Sequence, residues 1–312
     1  MIVRWGLDAL PDVCREAGVH EPLLVASPRW ELPIAAAARW SEVPSHRIDD
    51  AAAQTGGGVI AVGGGSAIDL GKAISAAAGV PLVSVPTTYA GAEWTAYYGV
   101  RDPERKLRGG GAGARLGGIV YDVELTLDLP RETTVGTAMN ALAHCAEALY
   151  VQGRNDDADA HALEGARAIA TWLPRVVDAP HEREPRTELL RGACHAGAAL
   201  GGAGLALAHA MAQAVGGRYG LPHGTLNGIC LPPALRWNEQ WAPDAVARFR
   251  DAVGRDVEEL AALGGPTRLR NLGVPEADLA ELAEAAAGRN GNRANPRPAT
   301  PAEIESLYRS VW

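Results

Sequence analysis

Apolar and polar positions are arranged in two different ways along this chain. In the first part, short apolar runs are bounded by turn residues: residues 22–26 (PLLVA), 59–62 (VIAV, followed at once by glycines) and 80–85 (VPLVSV, ending at Pro86). Each predicts a buried strand. Between them, residues 31–40 and 67–78 predict helices. Strand, turn, helix and strand joined by short links is the βαβ unit of a parallel sheet. Past about Thr126 strand signals fade. Residues 133–150, 157–176, 185–200, 205–215 and 244–263 read as helices, and a polar stretch at 288–298 precedes a last helix at 300–311. The pattern therefore predicts an α/β domain over residues 1–128 and an all-α domain over 129–312. The boundary falls near residues 127–132 (LDLPRE), where a proline meets a charge cluster. The glycine-rich run at 108–118 (RGGGAGARLGG) reads as a surface hairpin or loop, or as a mobile flap. No internal repeat is present.

Composition narrows the function classes. The 312 residues carry a formal net charge of −8, so nucleic acid and anionic membrane surfaces would be repelled. A small anionic substrate needs only a local basic pocket. The four cysteines, Cys14, Cys145, Cys194 and Cys230, form no C-x-x-C pair and are expected as free thiols in a reducing cytoplasm. The first residues, MIVRWGLDAL, lack the apolar core of a signal peptide. Residues 192–217 contain no Asp, Glu, Lys or Arg, which is long enough to raise the question of a membrane span. The stretch is mostly Ala and Gly and holds His195, His209 and Gln213, which fits closely packed buried helices better.

Candidate chemistry appears in two places. Gly63, Gly64, Gly65 and Ser66 follow the VIAV strand and open a helix. Glycines there let backbone approach a pyrophosphate, and the helix start offers N–H groups and a positive dipole end. Asp69 and Lys72 lie one turn apart on that helix, either as an exposed ion pair or with Asp69 near a cofactor ribose or nicotinamide and Lys72 near the inner sheet. Thr87 and Thr88 end the next strand, where open α/β sheets bind ligands. The first βα turn, Ala26-Ser27-Pro28-Arg29-Trp30, has no acidic residue for a free ribose 2′-hydroxyl, and Arg29 could meet a 2′-phosphate. Farther on, Asn140 and His144 share a helix face, as do His209 and Gln213. His223 follows within GLPHG. Three histidines in one helical domain could converge on a metal, although a histidine in an apolar helix is more often a satisfied core residue.

The motifs GGGSAIDLGKAI (63–74), PTTYAGAEWT (86–95), YDVELTLDLP (121–130), MNALAHCAEALY (139–150), HAMAQAVGGRYGLPHG (209–224) and PTRLRNLGVPEADL (266–279) occur in the order seen in the iron-dependent alcohol dehydrogenases. The chain resembles that family, and PTTYAG and MNALAHCAEALY resemble its maleylacetate reductase branch. The resemblance implies the fold of the dehydroquinate synthase and iron alcohol dehydrogenase group, a Rossmann-like N-terminal domain plus an all-helical one. It implies a cleft between them for NAD or NADP and a small-molecule substrate. Gly63, Gly64, Gly65, Ser66, Asp69, Thr87, Thr88 and Lys106 would hold the cofactor. In metal-bearing members the positions of Asn140, His144, His209 and His223 ligate iron or zinc. Asn140 replaces the anionic ligand, which implies no tightly held metal.

Other departures bear on activity. Gln213 stands where the family has a histidine near the nicotinamide, and an amide cannot relay protons near neutral pH. Either His144, His209, His223 or Tyr89 then supplies the proton, or no redox proton transfer occurs. Residues 41–58 are shorter than the family's strand-and-helix segment, and the basic cluster around 101–115 is thinned. The expected function is NAD(P)H-dependent reduction of a ketone or enone. The alternatives are a dehydratase, lyase or cyclase using the same histidines as acid and base, or a non-catalytic binding protein. A cytoplasmic homodimer is expected from the resemblance.

Overall fold

The computed structural model describes residues 1–312, which form two compact units. One comprises Met1–Thr88 and Ala92–Thr126, and the other Tyr89–Gly91 and Leu127–Trp312.

The first unit is built on a parallel sheet. Its elements are β1 (Ile2–Trp5), α1 (Leu10–Glu16), β2 (Leu23–Ala26), β3 (Ala38–Trp40), α2 (Ile48–Ala52), β4 (Val59–Gly63), α3 (Gly65–Ala78), β5 (Pro81–Pro86), β6 (Tyr98–Arg101), β7 (Leu107–Gly111) and β8 (Arg115–Tyr121). Six strands lie in the order β1-β8-β5-β4-β2-β3, all parallel, and β6 and β7 form a separate antiparallel hairpin. β2 and β4 are buried throughout because the sheet is covered on both faces. Leu24, Ala26, Ile60, Val62, Val83, Val85 and Val120 point to the α1 side. Leu23, Val25, Val59, Ala61 and Leu82 point to the α3 side. From β2 the chain moves outward to β3 and then returns to β4, so the strand order reverses between β2 and β4. The GGGS turn closes β4 at that reversal, where α/β sheets bind ligands.

Two expectations are corrected here. Residues 31–40 are not a helix. Residues 27–37 form bends, and β3 follows. Pro28 and Pro33 remove backbone donors, and the link between the parallel neighbours β2 and β3 is too short to hold a helix with its turns. Trp30, Leu32 and Ile34 cover the sheet instead. The expected surface hairpin accounts for only the first part of the run 108–118, where β7 pairs with β6. From Arg115 onward the run is a central strand between β5 and β1. A Cβ at Gly118 would sit 2.5 Å from Val13 Cγ1, and one at Gly117 would sit 2.8 Å from Ala17 Cβ. The glycines that hide this strand in the sequence are what let α1 pack on it.

The second unit is helical: α4 (Arg131–Ala148), α5 (Asp156–Asp178), α6 (Arg183–Ala203), α7 (Leu207–Tyr219), α8 (His223–Asn238), α9 (Pro243–Val253), α10 (Val257–Ala262), α11 (Leu279–Ala287), α12 (Asn290–Ala294) and α13 (Pro301–Ser310). The helix expected over 244–263 is two helices, because Gly254 takes a left-handed conformation and Asp256 caps α10. α8 escaped the pattern because Pro232 and Pro233 lie inside it. The expected loop at 288–298 contains α12. The charge-free stretch spans α6 and α7, which are bent by 99° at their break, and no single helix is long and apolar enough to cross a membrane.

Candidate functional site

In the helical unit, Asn140, His144 and Glu147 recur at helical spacing on one face of α4. His209 sits in the first turn of α7 and His223 opens α8. The structure brings the three histidines together. The rings of His144 and His209 stack with centroids 4.7 Å apart, and His209 and His223 are 5.6 Å apart.

The hydrogen bonds fix most orientations. Asn140 Nδ2 donates to the Ala90 carbonyl at 2.9 Å, which leaves Oδ1 as an acceptor. Oδ1 faces Asn227 Nδ2 at 2.6 Å and His209 Nε2 at 3.2 Å. On its other side, His209 Nδ1 lies 2.7 Å from the Glu147 carboxylate, which also accepts the backbone N–H groups of Ala206 and His209. Both nitrogens of His209 therefore face acceptors. Asn227 also donates to His223 Nε2 at 3.0 Å, which leaves the remaining proton of a neutral His223 on Nδ1. His144 Nδ1 is buried and has no hydrogen-bond partner. Burial first, and then the neighbouring His209 and His223, push the His144 imidazole well below its usual range, so this ring is neutral at physiological pH.

This donor set does not fit a tightly held divalent ion. Asn140 Oδ1 and His209 Nε2 are spent on each other, His223 Nε2 accepts from Asn227, and no group of three or more His, Cys, Asp or Glu converges with ligating geometry. A neutral amide in place of a carboxylate weakens the set further.

Sequence reading missed Glu147 and Asn227. Each carried a signal, being a polar residue one turn from a histidine inside an otherwise apolar helix. Two expected residues have other surroundings. Tyr89 is fully buried, and its hydroxyl accepts from Arg186 Nη1 at 3.2 Å. Gln213 is half-buried one turn beyond His209, and its backbone carbonyl accepts from Arg289.

In the α/β unit, Gly63 has φ 147°, and a Cβ on it would meet Ala67 Cβ at 2.7 Å. A Cβ on Gly64 would meet the Thr88 side chain at 3.0 Å. Gly64 caps α3 without a side-chain bond, so the first backbone N–H groups of α3 need partners from outside the helix. Ser66 at that end is exposed. The Thr87 hydroxyl is buried without a partner beside this turn, while its N–H bonds Gly63 O at 3.0 Å. A close-approach glycine turn with an orphaned hydroxyl fits the pyrophosphate of a dinucleotide.

Asp69 and Lys72 are not an exposed pair, and Lys72 lies buried as the inner-sheet reading expects. Lys72 is 1% exposed and donates to the carbonyls of Ala92 and Tyr97 at 2.8 and 2.7 Å. Asp69 pairs with Lys72 at 2.7 Å and accepts from Gly99 N at 3.2 Å, which anchors β6. Lys106 is an exposed residue next to β7, paired with Glu104 at 2.7 Å. Three of the other basic residues are engaged locally. Arg101 donates to Arg105 O, Arg108 to Asp102 and Arg115 to Gly79 O.

Comparison with known proteins places these features in a family. Residues 134–312 match the model of the iron-containing alcohol dehydrogenase C-terminal region, and residues 41–111 match that of iron-containing alcohol dehydrogenase. Maleylacetate reductase 1 of Rhodococcus opacus is 40% identical over 81% of this chain and 72% of its own length. Maleylacetate reductase of Burkholderia cepacia is 40% identical over 81% and 73%. The crystal structure of maleylacetate reductase from Agrobacterium tumefaciens superposes with a TM-score of 0.87 at 31% identity, covering 100% of this chain and 95% of that one. The chain belongs to the iron-containing alcohol dehydrogenase family, on its maleylacetate reductase-like branch.

Proposed function

We propose that this protein is an NAD(P)H-dependent reductase resembling maleylacetate reductase, acting on the ketone or enone of a small carboxylate-bearing molecule. The nicotinamide supplies hydride when bound. The chain's own residues do the rest. The glycine turn at 63–66, with Thr87 and Thr88, holds the diphosphate. The histidine cluster supplies the proton that the reduced carbon or oxygen needs.

The observation that carries this reading is His209, whose two nitrogens both face acceptors. Glu147 favours a proton on Nδ1 and Asn140 orients Nε2–H. This arrangement takes the place of a relay through Gln213, which cannot titrate. The neutral His144 ring stacks on His209 with centroids 4.7 Å apart. The site works without a tightly bound metal, because Asn140 and His209 occupy each other's ligating atoms. No observation favours the dehydratase, lyase or cyclase alternative. The protein acts in the cytoplasm as a homodimer, in keeping with its family and with four free cysteines.

The test is a titration of metal-analysed protein with NADH and NADPH, followed by nicotinamide fluorescence, and then turnover with maleylacetate. A Kd of about micromolar size for one or both, and turnover that survives a chelator, are expected. No binding up to millimolar cofactor overturns the reductase reading. Loss of turnover on chelation overturns the metal-free one. Light scattering checks the dimer.

A further inference from the structure

Arg186, near the start of α6, is 1% exposed, and all of its hydrogen-bond partners are neutral oxygens. Nε donates to Pro180 O at 2.8 Å and Nη2 to Leu129 O at 3.3 Å. Nη1 donates to Thr134 Oγ1 at 3.1 Å and Tyr89 Oη at 3.2 Å. A buried guanidinium without a carboxylate is a costly way to hold a core together, and packed apolar residues do that better. Its value must lie in what it orients.

Tyr89 begins a three-residue strap, Tyr89–Gly91, that belongs to the helical unit although the residues on either side belong to the α/β unit. The strap is fastened at each residue. The Tyr89 N–H approaches Thr137 Oγ1 at 3.4 Å and its hydroxyl accepts from Arg186 Nη1. The Ala90 carbonyl accepts from Asn140 Nδ2. Gly91, at φ 75°, lies so close that a Cβ there would sit 3.4 Å from both His144 Nδ1 and Gly197 Cα. The strap thus determines which atom of Asn140 faces His209, and it forms one wall of the His144 ring.

We propose that Arg186 is a positioning residue of the reductase site: through the Tyr89 hydroxyl it fixes the Tyr89–Gly91 strap and so orients the Asn140 amide and the His144 ring. Lysine cannot replace it, because one ammonium cannot reach Pro180, Leu129, Thr134 and Tyr89 together.

The activity arm of the test rests on the reductase reading, so a second arm does not. Arg186→Lys, Tyr89→Phe and their double mutant are compared with Thr134→Val, which removes the other Nη1 acceptor without touching the strap. Tyr89→Phe and Arg186→Lys are each expected to lower kcat by roughly tenfold to a hundredfold, the size of a misplacement of about 1 Å. KM should change far less, and the double mutant should lose little more than either single one. Thr134→Val is expected to keep kcat within about twofold while sharing the loss of melting temperature. Independently of turnover, long-range ¹H–¹⁵N spectra of the imidazoles should show the His144 ring shifted in Tyr89→Phe and Arg186→Lys and unchanged in Thr134→Val. Equal effects of Thr134→Val and Tyr89→Phe in both arms, or an unshifted His144 ring in Tyr89→Phe, overturn the proposal. Absence of wild-type turnover overturns the reductase reading alone and leaves the spectra to decide the role of Arg186.

Discussion

Glu147 Oε2 lies 2.7 Å from His209 Nδ1, and both side chains are almost completely withdrawn from solvent. The carboxylate also receives the N–H groups of Ala206 and His209, so it ties the start of α7 to the C-terminal end of α4. One residue therefore caps a helix start and orients the ring of a site histidine.

Replacing Glu147 by Gln would put an amide N–H₂ among these donors and take the carboxylate away from His209 Nδ1. Leaving buried hydrogen-bonding groups unsatisfied costs about 1–3 kcal/mol, more where one partner is charged. The expected outcome is that loss of unfolding free energy in denaturant melts, with at least a tenfold fall in reductase turnover for whatever fraction remains folded. A variant as stable and active as the parent would show that the pair does not matter.

Asn140→Asp tests why the site is unsuited to a metal. The new carboxylate would repel the Ala90 carbonyl, to which the amide now donates, and would present an anionic ligand beside His144, His209 and His223. Elemental analysis after dialysis against zinc should find close to one ion per chain in the variant and far less in the parent. Metal-free turnover should fall in the variant. Equal zinc content in the two proteins would contradict the assignment.

At the nucleotide turn, the buried Thr87 hydroxyl has no partner within the protein. Thr87→Val keeps the shape and removes the hydroxyl, so thermal stability should hold or rise slightly. If the hydroxyl serves the cofactor, the Kd for the preferred nicotinamide dinucleotide should weaken by about two- to tenfold, equivalent to ~0.5–1.5 kcal/mol. An unchanged Kd would remove Thr87 from the site.

The last helix offers a pH test away from the chemistry. The Arg297 fork first, and then the Thr300 N–H and hydroxyl at the helix cap, draw the Glu303 carboxyl down to about 2. A carboxyl lowered on folding stabilises most above its unfolded value, near 4.5, and that contribution fades as pH falls from there toward about 2. The group is partly exposed, so screening keeps the effect small. Glu303→Gln should cost about 1 kcal/mol at pH 7, and the difference from the parent should shrink steadily below pH 4.5. A difference that does not change with pH would contradict this.

Much of the fold was legible from apolar spacing alone. The runs ending at Ala26, Val62 and Val85 are strands because a parallel sheet buried on both faces demands continuous apolar residues. α3 to α7 follow the helical period in the sequence. Where reading failed, a neighbour had overridden the local signal. β8 is rich in glycine because α1 lies directly on it. The 31–40 segment has helix-forming alanines but too short a span between paired strands. α8 continues through two prolines because it is buried along nearly its whole length.

The sequence by itself determined the residue types and their order: a glycine turn after a strand, hydroxyls after the next, an Asn in place of a carboxylate, a Gln in place of a histidine, and three histidines on helices. These are chemical identities, and no packing can change what Asn140 or Gln213 is able to titrate. Only the tertiary structure decided how those groups are used. It spent the Asp69 carboxylate on Lys72 and Gly99, buried Tyr89 under Arg186, and brought Glu147 and Asn227 to the histidines. The reason is that a hydrogen bond depends on distance and direction between groups far apart in the chain: 62 residues separate Glu147 from His209, and 97 separate Tyr89 from Arg186. No local spacing encodes such a pairing. It follows from how α4, α6 and α7 bury their small residues against one another.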